Sequence, residues 1–318
     1  MPTPALLGTF LVPLVYLPIA GVATSSLALI GAGAAVGFLS GMFGVGGGFL
    51  ITPILIFLGI PVEVAIATGA NQAVATSVSG AMAQWKRGNV DIKMGTVLLV
   101  SGIAGAFLGI QLVTVLRRVG QFEVFVSLSY VVLLGSIGIL MLIESLNAMY
   151  RTRNVGAGQP RPHHTWVHGL PLKTRFPHSK LYISVVPPVL VGAFAGILTA
   201  VMGVGGGFIL VPAMVYLLNM RTSIAIGTSL FNIVFVSAAT TIMQAISMQS
   251  VDVLLASILI VSGAIGTQLG AQAGANLKGE QLRLLLGLLV ILVGGRVAYS
   301  LVVRPDDLYS LSVLQTGL

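Results

Sequence analysis

Uncharged apolar runs approaching or exceeding ~20 residues recur along this chain; 94-MGTVLLVSGIAGAFLGIQLVTVL-116 is one of them. In helical form such a run spans the ~30 Å hydrocarbon core of a bilayer. The runs are continuous, whereas the strands of a transmembrane barrel alternate apolar and polar positions. Composition closes the soluble route: 8% of the 318 residues are charged, against about 25% in a soluble domain. The expected fold class is an all-α polytopic membrane protein, with the lipid bilayer as its surroundings. The chain has no cysteine, which excludes disulfides and thiolate metal sites. Its net charge of +8 does not call for nucleic acid, because six of the sixteen basic residues lie in one loop. The apolar stretch 1-MPTPALLGTFLVPLVYLPIAGVATSS-26 lacks the basic start of a signal peptide. It reads as an extra membrane helix over 1–25, bent at Pro13 and Pro18.

The chain also repeats itself. GVGGGF at 44–49 returns at 203–208, and Pro53 lies on Pro212. With one residue inserted, Thr68 lies on Thr228, Gln72 on Asn232, Ser77 on Ser237 and Gln84 on Gln244; Asp91 then falls on Asp252, and 100–109 on 261–270. A register held this long marks a duplicated half-protein, an arrangement typical of secondary transporters, whose substrate site lies between the repeats. The expected organisation is a first transmembrane repeat over 26–150, a basic cytoplasmic linker over 151–180, a second repeat over 181–304 and a C-terminal tail over 305–318. Each half reads as five segments, near 26–43, 46–58, 63–83, 94–116 and 122–146, then 183–202, 206–218, 222–247, 251–275 and 280–303. The second segment of each half is short, and reads as a half-helix or a tilted span. The linker carries six basic residues and no acid, which places it in the cytoplasm. Loop 84–93 is basic, while its counterpart 244–252 carries no basic residue. Equivalent loops on opposite faces make the repeats inverted; re-entrant short segments would make them parallel. Arg117 and Arg118 fall outside in this scheme and count against it.

Two of the apolar runs are broken at equivalent points by glycines, which cost about 1 kcal/mol each relative to alanine inside a helix. Gly44, Gly46, Gly47 and Gly48 in one half, and Gly203, Gly205, Gly206 and Gly207 in the other, end one helix and begin another at membrane depth. A helix start carries unpartnered N–H groups and about half a positive charge, so it forms an anion cradle. Close packing between helices is the plainer role for such glycines, although these are contiguous rather than spaced. Neither a strand nor a following lysine accompanies them, which excludes dinucleotide and phosphate loops. Polar residues of the third segments, Thr68, Asn71, Gln72, Thr76, Ser77 and Ser79 with Thr228, Ser229, Asn232, Ser237 and Thr240, offer donors to an oxyanion or bond neighbouring helices.

The duplicated G-x-GGG-F-x-x-x-P, followed by A-I-x-T and Q-W-K-R-G-N-V-D, resembles the sulfite exporter (TauE/SafE) family of membrane permeases. The resemblance covers roughly 30–150 and 185–303 and implies transport of small sulfur-containing anions such as sulfite, sulfonates or related organic acids. The loop 244-QAISMQSVD-252 departs from its first-half counterpart in lacking basic residues. The expected function is a secondary carrier for a small anionic substrate, exporting by alternating access. An anion channel with the same glycine-lined site is the alternative, and a non-transport membrane subunit the next. The expected substrate-binding set is Gly44, Gly46, Gly47, Gly48, Thr68, Asn71, Gln72, Gly203, Gly205, Gly206, Gly207, Thr228, Ser229 and Asn232. No catalytic group, metal ligand or cofactor is expected: no nucleophile–base motif occurs, and His163, His164, His168 and His178 all lie in the linker. Arg296 reads as snorkelling to the interface, and the oligomeric state stays open.

Overall fold

The computed structural model describes residues 14–154, 173–176, 178–179, 181–218, 220–274 and 279–302. Within these, the first half forms helices α1 (Ser26–Phe43), α2 (Gly48–Phe57), α3 (Val62–Lys86), α4 (Ile92–Val119) and α5 (Phe122–Asn154). The second forms α6 (Val186–Met202), α7 (Gly207–Tyr216), α8 (Thr222–Met248), α9 (Val253–Gly274) and α10 (Gly279–Val302). These are the ten segments expected from hydropathy. Six helices are long and apolar enough to cross a membrane, and α2 and α7, at ten residues each, are about 15 Å half-helices.

The N-terminal expectation needs correction. Leu14–Leu17 (β1) and Val22–Ser25 (β2) form an antiparallel hairpin, not the second part of a bent helix; residues 1–13 lie outside the described set. Pro18 deprives the turn of a helical N–H, and Gly21, at φ +66°, supplies the left-handed residue that closes it. The hairpin also belongs to the repeat. Lys173–Phe176 (β3) and Leu181–Ser184 (β4) pair in the same way ahead of α6. Most of the expected linker lies outside the described residues, but α5 runs on to Asn154 and the β3–β4 hairpin takes its last part.

The halves interlock by exchange. Helix α1 packs along α9 and α4 along α6, while α3 meets its counterpart α8 and α5 its counterpart α10. Small residues permit the cross-half pairs: Gly37 lies on the Gly263 backbone and Gly41 on that of Thr267, and Gly105 and Gly196 face Ala193 and Gly102, which brings backbones within reach of close packing. Gly80 of α3 lies against Leu230 of α8, and Gln84 against Gly227, so these helices run antiparallel. The same holds for α5 and α10, where Gly294 touches Leu134 and Gly287 touches Leu142. Tyr130 of α5 donates from its buried hydroxyl to the Met202 carbonyl (2.6 Å), fixing this outer pair to the end of α6.

Each end of the molecule carries one hairpin and one loop. At one, Asp91 caps α4 through the Met94 N–H (3.0 Å), and its other oxygen accepts from the Ser179 N–H (3.0 Å) and hydroxyl. His178 reaches the Gly88 carbonyl there, and Lys93 donates to the Arg175 carbonyl (2.8 Å). At the other, Asp252 caps α9 through Leu254 and Leu255 (3.1 Å each) and accepts from the Ile19 N–H (3.0 Å). Arg117, which counted against the charge pattern, pairs with Glu63 at the start of α3. Arg296 stacks over Phe57, 5.0 Å from the ring centre, near the end of α2.

Candidate functional site

Both glycine runs act as helix breaks. Gly44 (φ +66°) caps α1 and Gly203 (φ +69°) caps α6, each in the left-handed conformation that glycine adopts without a Cβ clash. Four residues later the half-helices start. The two runs lie directly against each other. Gly48 faces the Gly203 carbonyl and Gly207 the Val45 carbonyl, with no room for a Cβ at either. Phe49 stacks on Phe208 at 5.6 Å. At Gly48, Gly203 and Gly207 the bare backbone therefore serves the contact between halves, the plainer of the two roles read from sequence. Gly46 and Gly205 have more space and face the hydroxyls of Ser77 and Ser237, two buried, repeat-related oxygens that find no hydrogen-bond partner.

The other sequence-nominated residues distribute unevenly. Thr68 is fully buried and donates to Val64 of its own helix (2.7 Å), as Ser229 does to Ile226 (2.9 Å). Thr228 accepts the Asp91 N–H (3.1 Å), tying α8 to the loop before α4. Gln72 donates to the Gly33 carbonyl (3.3 Å) and leaves its oxygen unpartnered; the matched Asn232 also keeps an unpartnered oxygen. These two amides lie against Gly263 and Gly102 in repeat-related places. Asn71 is half-buried.

Of the nominated set, Gly44 alone lines the main polar cavity, a chamber of 420 Å³ beside the first glycine run. Its floor is Ser40, Gly44 and Thr76, and Ser40 brings a buried hydroxyl with no partner. Thr76 accepts the Gly47 N–H (3.1 Å), so the chamber ends one hydroxyl short of the α2 N-terminus. Helix α9 adds Thr267, Gln268 and Gln272 to the wall. At the mouth stand Gln84 and the exposed Arg87, at the end that carries the basic 86–93 loop. Among the described residues the lining holds one cation and no carboxylate.

Thr76 and Ser79 were legible as polar positions on the third segment. Ser40, Gln268 and Gln272 were not, because they meet only through the cross-half pairing of α1 with α9. The repeat-related space, between α6, α8 and α4, is filled. Thr76, Thr267 and Ala271 are replaced there by Val236, Ala106 and Ile110, which pack together with Ala200 in an apolar cluster. Gln244, the counterpart of Gln84, turns inward to the Ala200 carbonyl (3.0 Å).

The chain is similar in sequence to known proteins. The chain is 26% identical over 272 residues to the "Probable membrane transporter protein YjnA" of Bacillus subtilis, covering 85% of this chain and 98% of that one. It is 30% identical over 273 residues to a "Probable membrane transporter protein" of Xylella fastidiosa (strain Temecula1), 85% of this chain and 93% of the relative. "Probable membrane transporter protein MJ0441" of Methanocaldococcus jannaschii is 25% identical over 280 residues, with 84% and 92% covered. No solved structure is a significant match. The family model described as "Sulfite exporter TauE/SafE" matches residues 29–297, and with both glycine runs, both half-helices and the chamber inside that span, the chain belongs to the sulfite exporter TauE/SafE family of membrane transporters.

Proposed function

We propose that this protein is a carrier, not an enzyme, that exports a small sulfur-containing oxyanion such as sulfite or a sulfonate across the cell membrane by alternating access. The observation that carries the reading is the 420 Å³ polar chamber, whose described lining offers hydroxyls, amides and one guanidinium but no carboxylate. Hydroxyl and amide donors hold an oxyanion without burying a full counter-charge. Arg87 at the mouth raises the local concentration of anions. The antiparallel course of α3 against α8 and of α5 against α10 supports inverted repeats. The linker hairpin on the basic 86–93 loop supports a cytoplasmic mouth.

The test is uptake and counterflow in proteoliposomes with sulfite, methanesulfonate, sulfate, thiosulfate and a carboxylate. A carrier shows trans-stimulated exchange of at least one sulfur oxyanion. Arg87→Gln raises KM for that anion about tenfold, the value of one lost charge-assisted contact, with a smaller effect on kcat. With uncompensated charge on the cargo, a potential set by potassium and valinomycin drives export by about 2.3 kcal/mol per 100 mV. Flux without trans-stimulation would mean a channel, and no flux of any of these anions would overturn the reading.

A further inference from the structure

On the outer face of the α3–α8 pair, at the end that carries the basic 86–93 loop, lies a groove of 270 Å³. Val78, Met82 and Trp85 of α3 form one wall, at i, i+4 and i+7 spacing that keeps them on one helical face. Phe231 and Phe235 of α8 form the other. Trp85 lies 6.2 Å from Phe231, and Phe231 5.0 Å from Phe235, ring centre to ring centre. Gly95 of α4 backs the Phe231 ring, where a Cβ would fall 3.0 Å from it. The groove is open: Met82 is 59% exposed, Trp85 53% and Phe235 47%. The opposite face of the same turns presents Thr76, Gly80 and Arg87 to the polar chamber, so one helical wall separates the two spaces.

The chemistry of the groove changes along its length. From Val78 to Trp85 it is apolar over about 10 Å of α3, against the ~15 Å hydrocarbon depth of one leaflet. Lys86 follows Trp85 and lines the end of the same groove. A tryptophan beside a lysine suits the membrane interface, with the ring at headgroup level and the ammonium reaching past it. Among the described residues Lys86 makes no ion pair, and Arg87, Lys93 and Arg175 add positive charge at the same end. The carboxylate described there, Asp91, is occupied by the Met94 N–H and by Ser179. Among the described side chains, this end of the groove therefore holds positive charge with no free counter-charge of its own.

We propose that the groove is a binding site for one anionic phospholipid, with its acyl chain against Trp85, Phe231 and Phe235 and its phosphate on Lys86. Charge selects the headgroup: a net negative phosphate meets an unpaired ammonium, whereas a zwitterionic headgroup brings its own cation. Size selects a lipid chain over a second copy of the protein. A helix about 10 Å across occupies several hundred Å³ over the same 10 Å of length, more than the 270 Å³ of the groove. The proposal goes beyond the transport reading and does not rest on it.

The test reads the fluorescence of Trp85. The chain has two tryptophans, Trp85 and Trp166, so Trp166→Phe in the full-length protein leaves the groove its own reporter. This parent is reconstituted in phosphatidylcholine vesicles containing increasing mole fractions of phosphatidylglycerol or phosphatidylcholine brominated in the acyl chain. The brominated phosphatidylglycerol reaches half-maximal quenching at about fivefold lower mole fraction, the value of one lysine near a membrane surface, and added salt narrows the gap. Lys86→Gln, at an exposed position that leaves the apolar walls intact, brings the ratio close to one. Ala81→Phe, which fills the groove from α3, excludes the chain and also removes the preference. Equal quenching by the two lipids in the parent overturns the proposal, as does a preference that either variant retains. Weak quenching by both lipids together with a cross-linked dimer overturns it as well, and assigns the groove to a second copy.

Discussion

Gly47 and Gly48 are neighbours in sequence with different tasks. A Cβ at Gly48 would press into the Gly203 carbonyl and the Val204 backbone, and neither can move aside without separating the halves. A Cβ at Gly47 would meet only side chains, Val36 at 3.2 Å and Thr76 at 3.4 Å, on an ordinary φ of −77°. Gly206, the repeat counterpart of Gly47, sits instead at φ +72°, where an L side chain costs roughly 1–2 kcal/mol. Gly48→Ala and Gly207→Ala are therefore expected to abolish folded protein or lower its stability by more than about 3 kcal/mol. Gly47→Ala stays within about 1 kcal/mol of the parent, and Gly206→Ala falls between. Thermal unfolding followed by size-exclusion in detergent orders the four, and equal loss at all of them would refute the distinction. The helix breaks themselves were legible in the glycine runs. Which glycine meets side chains and which meets another backbone was not, since both demand the same missing Cβ and the backbone contact joins residues about 155 positions apart, as Gly48 and Gly203 are.

At the scale of elements, Asp91 and Asp252 do the same work at opposite ends. Each is buried at the start of a helix and also holds the hairpin that precedes the first helix of the other half. Their match was visible in the repeat register, and their places at segment ends in the hydropathy. The hairpins were hidden: 14-LVYLPIAGVATS-25 is apolar enough to pass for helix, and the bond from Ser179 to Asp91 spans 88 residues. The two latches are unequal, because Asp91 accepts two donors from its hairpin and Asp252 accepts one. A lost cap costs about 1 kcal/mol, and each lost bond to a buried charge about 1.5–3 kcal/mol. Asp252 makes up the difference with a second cap bond, so Asp91→Ala and Asp252→Ala are expected to lower stability to within about 1 kcal/mol of each other, with the hairpin freed more completely in Asp91→Ala. The idea fails if the two variants differ in stability by several kcal/mol, or if cross-linking between Gly88→Cys and His178→Cys is undiminished in the Asp91→Ala background.

The whole molecule is a two-fold design in sequence order but not in its cavities. A polar chamber of 420 Å³ with Arg87 at its mouth lies where α1 and α3 meet α9; the repeat-related space, where α6 and α8 meet α4, is closed by Ala106, Ile110, Ala200 and Val236. Inverted repeats that exchange these two packings would close the first chamber and open the second, since the molecule already displays both arrangements at its two repeat-related interfaces. Alternating access would then leave a signature on single cysteines placed in this cysteine-free chain. Gln272→Cys, exposed on the chamber wall, is expected to react with an impermeant maleimide from the cytoplasmic face in the absence of substrate. Ile110→Cys, its near counterpart in the closed space at 3% exposure, is expected to react from the opposite face, several-fold faster during turnover than at rest. Saturating substrate on the outer side should at the same time protect Gln272→Cys, because one site cannot be open at both ends. If Ile110→Cys stays unreactive while anion is moving, the apolar cluster is a permanent plug and the path lies elsewhere. If both cysteines react at once and from both faces, the protein conducts through an open pore, and the inequality of the two halves sets the shape of a channel rather than the resting state of a carrier.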